Sequence, residues 1–206
     1  MRLGMIVDVG RCIGCDTCAI ACKVENNLPD DVWWNRVLTV GGAEQHTPAL
    51  TADRPTMWFL TVACQHCENP PCVPVCPTGA TYKRDEDGVV LIDYDKCIGC
   101  GACVEACPYD GVRTRNSDEI THANPFALGN YSVQPQEPAT VSKCTFCEQR
   151  LREDRLPACV EVCPARARFF GDLDDPDSEV SQLLESRESF TLHPEAGTHP
   201  SVHFIK

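Results

Sequence analysis

Apolar and polar positions along this chain fall into short blocks, not long periodic stretches. The run GVVLIDYD, from Gly88 to Asp95, is short, apolar and rich in β-branched residues, and predicts a strand. The closing SVHFIK predicts another. Asp175-Pro176 predicts a helix start, with Val180, Leu183 and Leu184 forming a short apolar face. Lys23 to Thr61 and Asp110 to Ser142 show few clear periodicities, several Pro and Gly, and the polar stretch RTRNSDEITHANP. They predict long, partly ordered insertions that either cover functional groups and meet partners or are plain solvated loops. The longest apolar candidate, Met57 to Cys64, is too short and too polar to cross a bilayer, so no direct membrane span is expected.

Composition changes this picture at one residue type. The chain has 206 residues and an ordinary 43% hydrophobic content, but 16 cysteines, a density that leaves a disulfide scaffold, a zinc protein or an iron-sulfur protein. Cys12, Cys15, Cys18 and Cys22 are spaced x2-x2-x3, as are Cys97, Cys100, Cys103 and Cys107, the latter followed by Pro108. That spacing resembles the bacterial ferredoxin signature. Cys64, Cys67, Cys72 and Cys76, with Pro77, widen the middle gap to four residues; Cys144, Cys147, Cys159 and Cys163, with Pro164, widen it to eleven.

Thiolates at x2-x2 can wrap three corners of one cube within a tight loop, and small residues permit the wrap. Gly14, Gly99 and Gly101 stand inside two of these loops, where a side chain would obstruct close approach of backbone to cluster. The last cysteine of each group is expected on a short helical turn, which Pro77, Pro108 or Pro164 delimits; the first group has Lys23 there instead. Zinc sites rarely use a third cysteine two residues beyond a Cys-x2-Cys pair, and the regular grouping argues against a disulfide framework.

The segment DVGRCIGCDTCAIAC (Asp8 to Cys22) aligns with DYDKCIGCGACVEAC (Asp93 to Cys107) at an offset of 85, and PPCVPVCPTGA parallels LPACVEVCPARA at 87. The chain reads as a duplicated unit. Only 20 residues separate Cys76 from Cys97, against 41 between Cys22 and Cys64 and 36 between Cys107 and Cys144, so the second and third groups are expected to fold together with the first and fourth around them. In two-cluster ferredoxins the fourth cysteine of one group ligates the other group's cluster. The expected 4Fe-4S ligand sets are then Cys12, Cys15, Cys18 and Cys163; Cys22, Cys144, Cys147 and Cys159; Cys64, Cys67, Cys72 and Cys107; and Cys76, Cys97, Cys100 and Cys103.

The expected fold is α+β, a nested tandem of two ferredoxin-like two-cluster units with long insertions. Residues 1–61 with 136–175 form the outer unit, 62–109 the inner unit, 110–135 an insertion and 176–206 a C-terminal helix and strand tail.

The net charge of −12, which four clusters with about two negative charges each make more negative, excludes nucleic acid as a natural partner and favours docking on basic protein surfaces. The opening Met-Arg-Leu-Gly-Met-Ile-Val-Asp has no twin-arginine pair, so any export is expected to depend on a partner. Arg150, Arg152 and Arg155 are expected to be a solvated face, with potential tuning or docking of an acidic partner as the alternative. His66 is expected to be a partly exposed loop residue, with hydrogen bonding to a cluster as the alternative. Trp33 and Trp34 are expected to pack, with an interface as the alternative. No nucleophile with a partnered base, phosphate loop or carboxylate constellation suggests a catalytic residue.

The four groups in this order, with CPTGA after the second, KCTFC opening the fourth, and FFGDLDDPDSEV followed by PEAGTHP, resemble the four-cluster iron-sulfur subunits of the molybdopterin oxidoreductases, the family of the small subunits of dimethyl sulfoxide reductase, polysulfide reductase and respiratory arsenate reductase. The resemblance implies an electron-transfer subunit with four 4Fe-4S clusters and no catalytic site of its own. It implies a large catalytic partner holding a molybdenum bis-molybdopterin guanine dinucleotide cofactor, and a membrane anchor with a quinone site. The first and fourth groups would face the catalytic subunit, the second and third the membrane. Some relatives replace a third-group cysteine with tryptophan and hold a 3Fe-4S cluster; Cys100 is present here, implying four cubanes. It also implies a place at the prokaryotic cytoplasmic membrane through partners, with the outer face, reached with a twin-arginine partner, favoured over the cytoplasm. A free-standing polyferredoxin serving several cytoplasmic enzymes is the rival reading.

Overall fold

A computed structural model describes residues 1–50 and 54–206. The chain runs through β1 (Leu3–Asp8), α1 (Thr17–Glu25), β2 (Asn35–Val40), β3 (Ala49–Leu50), β4 (Pro55–Thr56) and β5 (Trp58–Ala63). It continues with β6 (Thr81–Lys83), β7 (Val90–Ile92), α2 (Ala102–Glu105), β8 (Arg113–Arg115) and β9 (Val141–Lys143). The last part holds α3 (Glu148–Leu151), α4 (Ala158–Glu161), β10 (Arg168–Asp172), α5 (Glu179–Ser186), β11 (Ser189–Phe190) and β12 (Val202–Ile205).

The largest sheet has the order β10-β1-β12-β11. In it β1 pairs antiparallel with β10 and parallel with β12. Alternation along β1 divides its side chains between two layers. Met5 and Val7, with Val202 and Phe204 of β12, join the core that contains Cys18, Cys22, Cys64, Cys144 and Cys159. Ile6 and Ile205 point the other way and are covered by Val180 of α5, with Leu183 and Leu184 beside it. The last strand is therefore internal to the sheet. Residues 176–206, expected as a tail, complete the sheet of β1 and β10, because the apolar positions of β12 need both β1 beside them and α5 above.

The predicted start of α5 shifts. The helix begins at Glu179, where Ser178 Oγ accepts the Ser181 N–H at 3.2 Å, while Asp175 and Pro176 belong to the preceding turn. A serine that can satisfy a free N–H of the first turn decides the boundary.

Lys23 to Thr61, expected as a partly ordered insertion, contains a hairpin of two six-residue strands, with Asn35 opposite Ala63 and Val40 opposite Trp58; residues 51–53 lie outside the described residues. This hairpin crosses the expected boundary at 61/62. Asn35 and Val37 turn inward while Leu38 is exposed, an alternation obscured in the sequence by the polar residues that face the core. Likewise β8 reaches into the 110–135 insertion, and Trp34 Nε1–H donates to Ser142 Oγ, whose hydroxyl donates to Asn116 Oδ1, all buried. Trp34 thus packs as expected, and half-exposed Trp33 lies under the Lys23 ammonium, 4.3 Å from the ring centre.

Candidate metal centres

The duplicated loops fold alike. Asp8 Oδ1 accepts the Gly10 N–H at 2.9 Å, and Asp93 Oδ1 the Asp95 N–H at 3.1 Å, closing equivalent turns before Cys12 and Cys97. Asp16 and Gly101, also 85 residues apart, both take the left-handed backbone before α1 and α2. After the cysteine loops, Cys76, Cys107 and Cys163 each donate their N–H to a residue three earlier, Val73, Val104 and Val160, and a proline follows. The first group lacks that proline, and α1 runs on past Cys22 to Glu25.

Gly14 and Gly99 have φ of +68° and +64°. A Cβ would fall 2.4 Å from the Phe59 ring at Gly14 and 1.7 Å from the Ala139 carbonyl oxygen at Gly99, whereas nothing lies within 4 Å at Gly101. The obstruction is a neighbouring protein segment in both cases. Gly99→Ala will therefore force the 139 loop away and lower iron retention and melting temperature, while Gly101→Ala meets no protein atom and adds about 1–2 kcal/mol for its left-handed backbone. Anaerobic thermal denaturation of both variants checks this; equal effects would show that the Ala139 contact does not matter.

Four cavities are bordered by cysteines, three of them by four and one by five. One is ringed by Cys12, Cys15, Cys18 and Cys163, the Cys12 site. Another, the Cys22 site, has Cys22, Cys144, Cys147 and Cys159, with Cys64 also on its border. The Cys64 site has Cys64, Cys67, Cys72 and Cys107. The Cys76 site has Cys76, Cys97, Cys100 and Cys103. None of the sixteen forms a disulfide. Among the described residues no three His, Cys, Asp or Glu side chains converge closely enough for a single metal ion.

Burial grades across the sites. All four cysteines of the Cys22 site are buried, as are Cys64, Cys67 and Cys72; the Cys12 and Cys76 sites each present one exposed cysteine, Cys15 and Cys100. Burial, reinforced by Cys144, Cys147 and Cys159, raises the Cys22 thiol well above its ordinary value, and burial pushes Cys107 and Cys147 up to about 12. At half-buried Cys76 burial is the largest single effect and raises the thiol, but the N–H and hydroxyl donors of Thr81, Thr78 and Ala80 together outweigh it and bring it down to about 7. Interior thiols of this kind become thiolates only beside positive charge, so loading them with a cationic iron-sulfur core releases protons.

The lining fits a sulfide-rich group. Phe146 N–H donates to Cys144 Sγ at 3.4 Å, Ala167 N–H to Cys163 Sγ at 3.3 Å and Thr81 N–H to Cys76 Sγ at 3.4 Å. Asn26 Nδ2 lies 3.7 Å and 3.8 Å from Cys22 and Cys147 Sγ. Asn35 Nδ2, Thr61 Oγ1 and Arg168 Nε and Nη1 are buried donors without a protein acceptor, at the borders of the Cys12 and Cys22 sites. Inorganic sulfides and thiolates would satisfy them.

Two expected roles change. His66 is fully buried and stacked on Phe146, with ring centroids 3.7 Å apart; its Nδ1 accepts the Val90 N–H at 3.2 Å, which leaves the proton on Nε2. Burial, then the Lys143 and Arg113 cations, hold it neutral, well below the usual histidine range. The loop is covered by β7 and the fourth group, which its local sequence does not reveal. Arg150 is not solvated: it pairs with Glu25 at 3.0 Å and with Glu161, tying α3 to α1 and α4. Arg152 and Arg155 form surface pairs with Glu148 and Glu153 at 3.1 and 3.5 Å.

Sequence reading passed over Arg113, Lys143 and Arg168. They are 3%, 1% and 6% exposed and stand among the cysteines. Burial works against each charge, most visibly at Lys143, whose ammonium is pushed below its ordinary range; at Arg113 and Arg168 the surrounding cysteines outweigh it. The available signal was a basic residue at an inward position of a short strand.

The 4Fe-4S dicluster domain profile matches residues 55–124 and 113–173, and a 4Fe-4S binding domain matches 10–25. The putative dimethyl sulfoxide reductase iron-sulfur subunit of Halobacterium salinarum is 49% identical over 210 residues, 98% of this chain and 78% of the relative. The arsenate respiratory reductase iron-sulfur subunit ArrB of a Shewanella species is 38% identical over all of this chain and 97% of its own length. A tetrathionate reductase subunit of Salmonella typhimurium is 39% identical over 99% of this chain and 72% of its own length. With sixteen cysteines arranged around four cavities and relatives of this kind along its whole length, the chain belongs to the iron-sulfur electron-transfer subunits of the molybdopterin oxidoreductase family.

Proposed function

We propose that each cavity holds one 4Fe-4S cluster with four bordering cysteines as ligands, Cys64 serving the Cys64 site alone, and that the chain passes single electrons between a large molybdopterin catalytic subunit and a quinone-linked membrane anchor. The observation that carries this reading is the burial gradient: two deep sites lie between two sites that each bring a cysteine to the surface. When bound, each cluster supplies one reversible electron.

The protein's own part is to hold the sites in series, exclude water and set the charge around them. Arg168 borders both the Cys12 and Cys22 sites and Cys64 borders both the Cys22 and Cys64 sites, while the Cys64 and Cys76 sites meet through the packing of Cys72 and Val90 against Cys97, Cys103 and Val141. Exposed apolar side chains mark both ends. Ile13 (61% exposed) lies between Cys12 and Cys15, and Val162 (40%) precedes Cys163. Their counterparts in the repeat, Ile98 (66%) and Val75 (40%), flank the Cys76 site in the same way. Family precedent directs the Cys12 end to the catalytic subunit and the Cys76 end to the anchor, with the complex on the outer face of the cytoplasmic membrane. No helix among the described residues is long and apolar enough to cross a membrane, which supports attachment through partners.

Ile13→Asp will reduce molybdenum copurifying with the chain by tenfold or more, and Ile98→Asp will leave it unchanged, both at full iron content; the reverse pattern would invert the orientation. The reading as a whole is tested by anaerobic iron, sulfide, zinc and molybdenum analysis of the complex purified through this chain. About sixteen irons and sixteen sulfides per chain with molybdenum in a larger subunit are expected. Zinc without sulfide would sink the cluster assignment, and full iron without molybdenum would favour the polyferredoxin.

A further inference from the structure

Arg168, Lys143 and Arg113 are each almost wholly buried, and among the described residues none is drawn to a carboxylate. Their places follow an order. Arg168 stands in the wall shared by the Cys12 and Cys22 sites. Lys143 donates from Nζ to the Cys144 carbonyl at 2.8 Å, on the Cys22 site, and to the carbonyl of Val90, which lines the Cys64 site. Arg113 lines the Cys64 site, and its Nη1 lies 3.5 Å from Oγ1 of Thr81, the residue whose N–H donates to Cys76 Sγ in the next site. Four sites in series have three junctions, and each junction contains one cation.

We propose that these three residues are junction charges: each places a positive charge between two neighbouring clusters, raising the reduction potential of both and so offsetting the repulsion that an electron on one exerts on an electron entering the other. The proposal rests on the cluster assignment above.

The physical reason is the medium. Two adjacent anionic clusters in a dry interior repel strongly, so an electron on one discourages the next from accepting another. A cation between them attracts the added electron whichever side it occupies. Placed to one side, the same charge would tune a single cluster and turn its neighbour into a barrier. Arginine suits this position because its guanidinium stays charged when buried and presents donors in a plane to groups on both sides. These are positioning residues, acting through the field they exert on the clusters.

Low-temperature EPR redox titration of the purified complex tests the idea without assigning any signal to a site. Arg168→Met is expected to lower two of the four midpoint potentials, and Arg113→Met the other two. Lys143→Met is expected to lower one from each pair. The expected size is at least about tenfold in the reduction equilibrium, which is about 59 mV for one electron. Arg168→Lys and Arg113→Lys, which keep the charge, should restore most of the shift. Shifts confined to one cluster, spread equally over four, or unrestored by lysine would overturn the proposal. So would loss of iron in Arg168→Lys as well as Arg168→Met, since that assigns the side chain to packing. If only Arg168→Met loses iron, the Arg113 and Lys143 variants decide by whether their shifted clusters overlap in one. A wild-type complex without four titrating clusters would overturn the cluster assignment instead, and that is read before any variant.

Discussion

Cys159→Ala will lose nearly all of its iron, whereas Cys100→Ala will retain most of it. Cys159 is 7% exposed and packs in the same core as Met5, Val7, Phe146 and Phe204, at the Cys22 site, where all four cysteines are buried. Without its cluster that site becomes a hole beneath the main sheet, and Arg168 loses the anionic group it faces. Leaving a buried charge unpaired costs roughly 3–5 kcal/mol, and a large core cavity a comparable amount. Together they approach the whole stability of a domain, about 5–15 kcal/mol. Cys100 is exposed in the loop between Gly99 and Gly101, and its loss leaves the sheet and three other sites intact. Between about twelve and fifteen irons should remain, depending on whether the Cys76 site empties or keeps a three-iron core. Electron transfer through the complex should fall a hundredfold or more in both variants, since the sites act in series. Iron and sulfide per chain, measured anaerobically beside far-UV circular dichroism, separate the cases. Equal iron loss in the two would mean that burial does not grade the sites.

The parts of this architecture that were legible in the sequence are those that repeat. The offset of 85 carries over to the Asp8 and Asp93 turns, the left-handed positions at Asp16 and Gly101, and the exposed Ile13 and Ile98. Each depends on residues within a few positions, so local pattern is enough. The short apolar runs around β7 and β12 were legible for the same reason, although only the fold shows that β12 lies inside a sheet.

What was missed is set by contacts distant along the chain. The β2–β5 hairpin turns Asn35 and Thr61 inward toward cysteine sites, which breaks the alternation that identifies a strand facing an apolar core. His66 and Arg150 look like surface residues in their own loops and are buried by segments 24 and 125 residues away. Arg168, Lys143 and Arg113 escaped the sequence reading because buried charge is rare where no counter-charge is visible. In this protein the counter-charge comes from cysteines in two different groups, and no local window contains both.

Removing all iron will unfold the chain, and this goes further than the loss of any one site. The main core is built from five cysteines together with the apolar residues of β1, β5 and β12, so the cluster sites and the hydrophobic core are one body. Once stripped, the three buried cations lose the anionic groups they face, and burial favours the neutral form of the Cys22, Cys144 and Cys159 thiols, so the surrounding cysteines compensate the cations only in part. A buried cation left uncompensated costs about 3–5 kcal/mol, so three together are comparable to the whole stability of a domain, about 5–15 kcal/mol. Chelation after mild oxidation should therefore abolish the cooperative thermal transition and the near-UV dichroism. Amide protection should be lost even in β1 and β12, which contribute no cysteine; anaerobic return of iron and sulfide should restore it. Hydrogen exchange is the deciding measurement. Native protection of Met5 to Val7 and Val202 to Ile205 in the stripped chain would show that the sheet and α5 fold without the clusters, and that the buried cations cost far less than their surroundings imply.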